Sequence, residues 1–337
     1  LLEREINHNI QKRQKELELT IALTNYCNFS CVYCYQNKNE KLMTTEVANM
    51  IIEKIDRILN DNIFEGINIH YFGGEPLLNI PVLIYLDENI KKITDKIGIV
   101  YKAFLTTNGS MLSKELLQKV KFSSIQLTFD GLEKTHDRLR VSDHFHFKEE
   151  IELIENIMNF SQAKVLLRTN ICKENKDEII ALHKYIFEKF GNERIEINPN
   201  RTIKYHQDDS FEMLSVQEYA EVAYQIKLLW SEQKGKFELP VPRSTPCKFP
   251  YGNAYAISPE GYCTFCSGSM DQEKKYFFDV DIENKKMFSV RKECKKCNIL
   301  PLCLGGCIIQ YNLRAGACTY EKYELKNILI SYIKHIS

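Results

Sequence analysis

Three cysteines of this chain fall within one short run, Cys27-Asn-Phe-Ser-Cys31-Val-Tyr-Cys34, spaced C-x3-C-x2-C with Tyr33 before the last. A compact loop of this kind aims three thiolates at one point, and thiolates are the preferred ligands of iron–sulfur clusters. Three protein ligands on a four-iron cube leave one iron open to a substrate or cofactor. The competing readings are a zinc site short of a ligand and a disulfide knot. An odd group of three suits neither, because structural zinc takes four closed ligands.

The C-terminal third carries most of the other cysteines. Cys247 is followed by Gly261-Tyr-Cys263-Thr-Phe-Cys266, then by Cys294-x2-Cys297-x5-Cys303-x3-Cys307, and finally by Cys318. Seven or eight thiolates on loop-like spacers can hold two further clusters. C-x2-C ribbons are equally familiar as zinc ligands, and the spacing alone does not separate the two. Cys172 stands alone and reads as a buried thiol.

Alternating apolar runs and amphipathic stretches must position these groups. Leu17–Thr24 reads as a strand feeding straight into the cysteine loop, and Thr44–Asn60 as a helix with Val47, Ile51, Ile55 and Ile58 on one face. Strands are expected at 67–72, 101–107, 124–129, 164–169 and 194–198, with helices at 81–93, 113–120, 147–159, 176–190 and 216–231. Six β-α units in series require parallel strands with right-handed crossovers. Six are too few to close an eight-unit barrel, so the expected fold is α/β, a partial (β/α)6 barrel resembling an open TIM barrel. On such barrels the active site lies at the C-terminal strand ends, where the cysteine loop sits.

The other strand ends carry short polar motifs. Gly73-Gly74-Glu75-Pro76 follows the second strand, and paired glycines let backbone approach a ligand closely; alone it would be a turn. Thr106-Thr107-Asn108-Gly109 ends the third strand and Thr128-Phe129-Asp130-Gly131 the fourth, each readable as plain turn chemistry. His136-Asp137-Arg138-Leu139-Arg140 follows, with Arg140 free to meet a carboxylate, and Arg168 and Asn170 end the fifth strand. His144 and His146 flank Phe145 in a loop, with no catalytic role expected.

Taken together, the C-x3-C-x2-C loop with its aromatic residue and the GGEP segment resemble the signature of radical S-adenosylmethionine (SAM) enzymes. The C-terminal pattern resembles the SPASM domain found on a subset of them, similar to maturases of ribosomally made peptides. The resemblance implies a 4Fe–4S cluster on Cys27, Cys31 and Cys34 whose open iron chelates SAM, which is cleaved to a 5′-deoxyadenosyl radical. It implies SAM contacts from Gly73, Gly74, Glu75, Thr107, Asn108, Thr128, Asp130, Arg140 and Asn170. It also implies two auxiliary 4Fe–4S clusters, three in all. Cys247, Cys266 and Cys307 would hold the first, and Cys294, Cys297, Cys303 and Cys318 the second. Cys263 is additional to the seven, and is expected to be the fourth ligand of the first. Glu75 is expected at a strand end rather than in the core, so that its loss affects SAM more than folding.

Lys+Arg and Asp+Glu each number 45, so no basic footprint for nucleic acid exists. No apolar run is long enough for a membrane span. The polar N-terminus is no signal peptide, and cysteines in C-x2-C pairs suit metal ligation in a reducing cytoplasm. Three prolines between Lys234 and Pro246 mark a boundary. The expected division is 1–233 partial barrel, 234–318 auxiliary-cluster domain and 319–337 C-terminal helix.

The resemblance implies radical crosslinking of a precursor peptide through a thioether, C–C or ether bond, with a flavodoxin- or ferredoxin-like reductant as electron donor. About 16 residues precede the first strand, too few for a leader-binding domain. That leaves a separate leader-recognition protein, a longer chain, or grip by the helices. The nearest rival is oxidation of a sulfatase Cys or Ser to formylglycine, whose enzymes carry Asp where this chain has Ser267. A rival of another class is a non-catalytic electron-transfer or cluster-scaffold protein, which would have no use for GGEP beside a three-cysteine loop.

Overall fold

A computed structural model describes residues 2–336 apart from 14, 62–63, 192–193, 205–209, 236, 238, 252, 265, 267–274, 281–288 and 308–317. Six parallel strands follow one another as β1 (Glu16–Ala22), β2 (Gly66–Phe72), β3 (Val100–Thr106), β4 (Phe122–Thr128), β5 (Lys164–Ile171) and β6 (Ile195–Arg201). Their side chains alternate, as strand geometry requires. On β5, Val165, Leu167, Thr169 and Ile171 are buried while Leu166, Arg168 and Asn170 are half-buried on the other face. The first set joins the apolar core with helix residues such as Ile51, Leu86, Ile154 and Ile186. The second set faces the barrel interior, which is consequently polar.

The helices form where the apolar spacing expects them: α2 (Thr45–Asp61), α3 (Ile80–Ile97), α4 (Lys114–Lys119), α6 (Phe147–Phe160), α7 (Ile179–Phe190) and α8 (Val216–Lys234). Their ends carry the chemistry that stops helices. Ser113 caps α4 by accepting from the Leu116 N–H. Ser215 and Glu218 form a reciprocal capping box on α8. Among the described residues, two helices longer than four residues were not expected. α1 (Leu2–Arg13) lays Ile6 and Ile10 against Val290, Leu300 and Leu304, so the N-terminal residues cover the C-terminal cysteine segment. α5 (Glu133–Leu139) absorbs the His136–Leu139 run.

The sheet does not stop at the expected boundary near 234. After the proline-rich stretch, β7 (Ala254–Ile257) pairs in parallel with β1, with Glu18 opposite Ala254 and Ile21 opposite Ile257. β8 (Tyr262–Thr264) and β9 (Lys275–Tyr276) add antiparallel strands outside it. The result is one open sheet in the order β6-β5-β4-β3-β2-β1-β7-β8-β9, a partial barrel extended on its β1 side. A C-terminal helix, Glu321–Ile336, returns to α8, where Lys227 pairs with Glu324 at 2.6 Å. Among the described residues no helix is long and apolar enough to cross a membrane.

One buried histidine makes the fold sensitive to acid. His183 on α7 accepts from Trp230 Nε1 of α8 at 3.1 Å through Nδ1, and its Nε2 meets Thr169 Oγ1 of β5 at 3.2 Å. Burial pushes its pKa down to about 3. The unfolded chain binds a proton near pH 6.5 and the folded chain does not, so stability is complete above that pH and falls as the pH drops toward 3. Within that window each pH unit costs up to about 1.4 kcal/mol. Urea titrations at a series of pH values should show the decline, and His183→Gln should flatten it. An unchanged slope would mean that the imidazole takes up its proton in the folded state.

Candidate active site

The loop that follows β1 carries Cys27, Cys31 and Cys34, and all three line one cavity of about 280 Å³ at the C-terminal strand ends. Among the described residues no three His, Cys, Asp or Glu side chains close on a single-ion point; the thiols instead share the walls of this space. The loop is held by backbone bonds to the α5 end, Val32 N–H to the Leu139 carbonyl at 3.0 Å and Ser30 N–H to the Val141 carbonyl at 2.8 Å. Burial pushes the Cys31 thiol up to about 11, against the pull of Arg140, and also raises Cys27, against the Phe29 N–H. Reactive nucleophilic cysteines show the opposite shift. Three thiols on one loop lining one space are the donor set that an iron–sulfur cluster takes.

Gly73 and Gly74 bring the end of β2 against this loop. A Cβ on Gly73, whose φ is +138°, would lie 2.3 Å from the Thr24 carbonyl oxygen, and one on Gly74 would lie 2.2 Å from that of Tyr26. The close approach is to the chain's own backbone, with Gly74 N–H donating to Thr24 and Glu75 N–H to Tyr26, each at 2.9 Å. The Gly73 carbonyl accepts from Gln36 Nε2.

Glu75 corrects an expectation. It follows a strand end, yet it is fully buried. Its Oε1 accepts from the Leu77 N–H at 2.9 Å and from Thr107 Oγ1 at 2.7 Å, and its Oε2 from the Asn108 N–H at 2.6 Å. The carboxylate thus ties the β2 end to the β3 end. Asn108 reaches on to Asn28 Oδ1 at 2.8 Å and to Cys27 Sγ at 3.9 Å, so Glu75 holds the cysteine loop through its neighbours.

Asp130 plays a similar part on the other side. It is fully buried, accepts from the Tyr33 hydroxyl, and accepts from the Asn170 N–H at 2.6 Å. Asn175, unremarked in the sequence, donates to the Asp130 and Asn170 carbonyls at 2.8 and 2.9 Å. Thr128, Arg140 and Asn170 line the cavity with Thr107 and Asn108. Arg140 is buried, lies 5.4 Å from the Phe29 ring centroid, and its Nε has no hydrogen-bond partner. Asp130 braces from behind, while Thr128, Arg140 and Asn170 line the cavity itself. His146 caps α6 by a reciprocal bond with Glu149.

A deeper cavity of about 180 Å³ shares Thr106 and Gln126 with the first. It is lined by His70, which meets Thr106 Oγ1 at 2.7 Å, and by Glu18, which pairs with Lys248. None of these stood out in the sequence, and inward alternation on the strands was the only signal. Cys247 immediately precedes Lys248.

The C-terminal cysteines gather on loops. Cys247 and Cys294 line one small cavity with Gly305 and Gly306. Leu304, Gly305 and Gly306 all have positive φ, at 45°, 85° and 68°. Gly306 can carry no side chain, since a Cβ would lie 2.4 Å from Thr319. The Leu304 and Gly306 N–H groups bond to the Leu300 and Cys303 carbonyls, each at 2.8 Å, and the Gly305 N–H points to Cys303 Sγ at 3.4 Å. This run between Cys303 and Cys307 fits a thiolate-held cluster. Ser267 lies outside the described residues.

Cys263 departs from this group. It is 3% exposed and packs in the main core with Tyr255, Ile257 and Phe277, which does not favour the ligand role expected of it. Cys263→Ala is expected to leave the iron content of reconstituted protein unchanged and to cost about 1 kcal/mol of core packing. Loss of iron would make it a ligand after all. Cys172 is buried, with its thiol 3.6 Å from Asn175 Oδ1.

Residues 21–186 match the family model described as the radical SAM superfamily. The chain carries a radical SAM domain. That domain is accompanied by similarity beyond its limits. The radical SAM cyclopropyl synthase TigE of Paramaledivibacter caminithermalis is 24% identical over 372 aligned residues, covering 97% of this chain and 76% of TigE. The GTP 3′,8-cyclase of Helicobacter pylori is 31% identical over 186 residues, 53% of this chain and 53% of its own. An uncharacterised Methanocaldococcus jannaschii protein is 34% identical over 119 residues, 34% of this chain and 39% of its own. This chain thus spans about half the length of the cyclase or less than half that of the archaeal protein. Among solved structures, anSMEcpe with bound AdoMet superposes with a TM-score of 0.74 at 17% identity, covering 95% of this chain and 100% of that one. Streptococcus suis SuiB bound to S-adenosylmethionine gives 0.63 at 18% identity, covering 94% and 79%. The radical SAM domain and its C-terminal extension therefore share the fold of both. Radical SAM domains bind a 4Fe–4S cluster and SAM, which when bound supply a 5′-deoxyadenosyl radical. Cys27, Cys31 and Cys34 are the residues that would hold the cluster.

Proposed function

We propose that the chain is a radical SAM maturase that installs a thioether, C–C or ether crosslink in a ribosomally made precursor peptide. The observation that carries this reading is the continuity of the barrel interior. Its mouth bears Cys27, Cys31 and Cys34, and its floor bears Lys248, the residue after Cys247. A substrate in that interior would meet the cysteine loop at one end and the segment that follows Cys247 at the other. Cys247, Cys266 and Cys307 are assigned to one auxiliary 4Fe–4S cluster and Cys294, Cys297, Cys303 and Cys318 to the other.

The chain's own residues orient and enclose. Glu75 and Asp130 fix the loops, Arg140 offers an unpartnered buried N–H to the SAM carboxylate, and the inward polar positions of β3–β6 hold the peptide. Relatives support a peptide substrate, since SuiB has been solved with precursor peptide SuiA and anSMEcpe with a Cp18Cys peptide. A flavodoxin- or ferredoxin-like donor in the cytoplasm and a separate leader-recognition protein complete the proposal. The shared fold with anSMEcpe favours formylglycine formation as the second reading, and Ser267 in place of Asp weighs against it.

Reconstituted enzyme, SAM and reductant should be incubated with short peptides encoded beside this gene. The expected products are 5′-deoxyadenosine and a peptide lacking two hydrogens per new bond. An aldehyde that reacts with hydrazide would establish formylglycine instead, and no 5′-deoxyadenosine under any condition would leave an electron carrier.

A further inference from the structure

The cavity at the strand ends is charged on one side of the ledger only. Among the described residues, Lys38, Arg140, Arg168 and Arg201 line it and no Asp or Glu does. Lys38 lies on the cysteine loop, and Arg140 ends α5 beside it. Lys38 donates to the Phe29 carbonyl, Arg140 lies by the Phe29 ring, and the two favour the thiolates of Cys27 and Cys31 respectively. Arg168 on β5 and Arg201 on β6 have neutral acceptors among the described residues: Arg168 Nε donates to Asn170 Oδ1 at 2.9 Å and Arg201 Nη1 to the Leu214 carbonyl at 3.1 Å. The acid acting on Arg168, Asp130, is fully buried and committed to Tyr33 and Asn170. Burial works against the charge of both guanidiniums, so an anion brought into the cavity is favoured there.

A second observation points the same way. Thr202, next to Arg201, is 6% exposed, lines the same cavity, and its Oγ1 has no hydrogen-bond partner. Buried hydroxyls are rarely left in that state. Two guanidiniums and one hydroxyl lining the same cavity match the two oxygens of a carboxylate.

We propose that Arg168, Arg201 and Thr202 form a subsite for a substrate carboxylate, so that the peptide segment entering the cavity bears an aspartate or glutamate. This rests on the peptide reading above. The probes are two blocked pentapeptides, Gly-Gly-Glu-Gly-Gly and Gly-Gly-Gln-Gly-Gly, bound anaerobically to reconstituted enzyme holding SAM. The Glu peptide should bind about tenfold more tightly, a preference reduced to about twofold or less by Arg201→Gln and partly kept by Arg201→Lys. Thr202→Val should weaken Glu-peptide binding severalfold and leave the Gln peptide unaffected. A melting temperature of Arg201→Gln equal to that of the parent protein separates the lost contact from a folding defect.

Equal binding of the two pentapeptides overturns the subsite, as does binding of neither. The peptide reading itself falls only on the mass measurement made with the gene-neighbour peptides. Tighter binding of inorganic pyrophosphate than of the Glu peptide, abolished by Arg201→Gln, overturns the carboxylate in favour of a phosphorylated substrate.

Discussion

Replacing Cys27, Cys31 and Cys34 together with Ala is expected to lower the iron content of anaerobically reconstituted protein from about twelve to about eight and to abolish SAM cleavage. The expectation follows from geometry and acidity together. The three half-buried sulfurs line one cavity with Thr107, Asn108 and Arg140, and burial keeps Cys31 and Cys27 protonated until a metal takes the proton's place. The remaining irons would reside on the C-terminal loops, where α1 and the Leu304–Gly306 turn are undisturbed by the substitutions. Iron and 5′-deoxyadenosine are measured on the same sample. Full iron with intact cleavage in the triple variant would falsify the assignment of this loop, and zero iron would show that the C-terminal cysteines hold none.

Glu75→Ala is expected to destabilise the fold by about 2–4 kcal/mol, because it strands three donors that no water can reach. Burial raises the carboxyl above its ordinary range, and the bonds from Thr107, Asn108 and Leu77 pull it back toward ionisation. Glu75→Gln should recover little, since the amide NH2 would face N–H and O–H donors. SAM affinity should also fall, as a consequence of the displaced Asn108 rather than of a lost contact. Thermal melting and SAM titration separate the two roles: a normal melting temperature with lost SAM binding would restore Glu75 as a direct SAM contact.

The cysteine spacings and strand-end motifs were legible because each is local. Cys27 to Cys34 lie on one loop, and the inward Arg168 and Asn170 follow from alternation with Val165 and Leu167. Glu75 was misread because its partners Thr107 and Asn108 lie on another loop, and no local pattern tells a buried carboxylate from an exposed one. Arg201 and Thr202 were missed because strand six was expected to end at Asn198, before Pro199. Pro199 is tolerated because β6 is the edge of the sheet, where a missing N–H breaks no ladder. Cys263 looked like a ligand by spacing to Cys266; its place on β8 instead turns it into the core. β7 was invisible as a partner for β1, since four residues carry little pattern and their mate is more than two hundred residues away.

That distant pairing bears on the order of events during synthesis. β1 leaves the ribosome ahead of both its neighbours, gains β2 on one side early, and waits for β7 on the other until more than two hundred further residues have been made. Contacts of such sequence separation slow folding, and an unpaired strand edge in the interval invites association with other chains. The cysteine loop at the end of β1 spends that interval on a half-finished sheet. Cluster loading and completion of the backbone therefore compete in time, and a cell that supplies iron and sulfide late gives the chain its best chance of meeting them already closed.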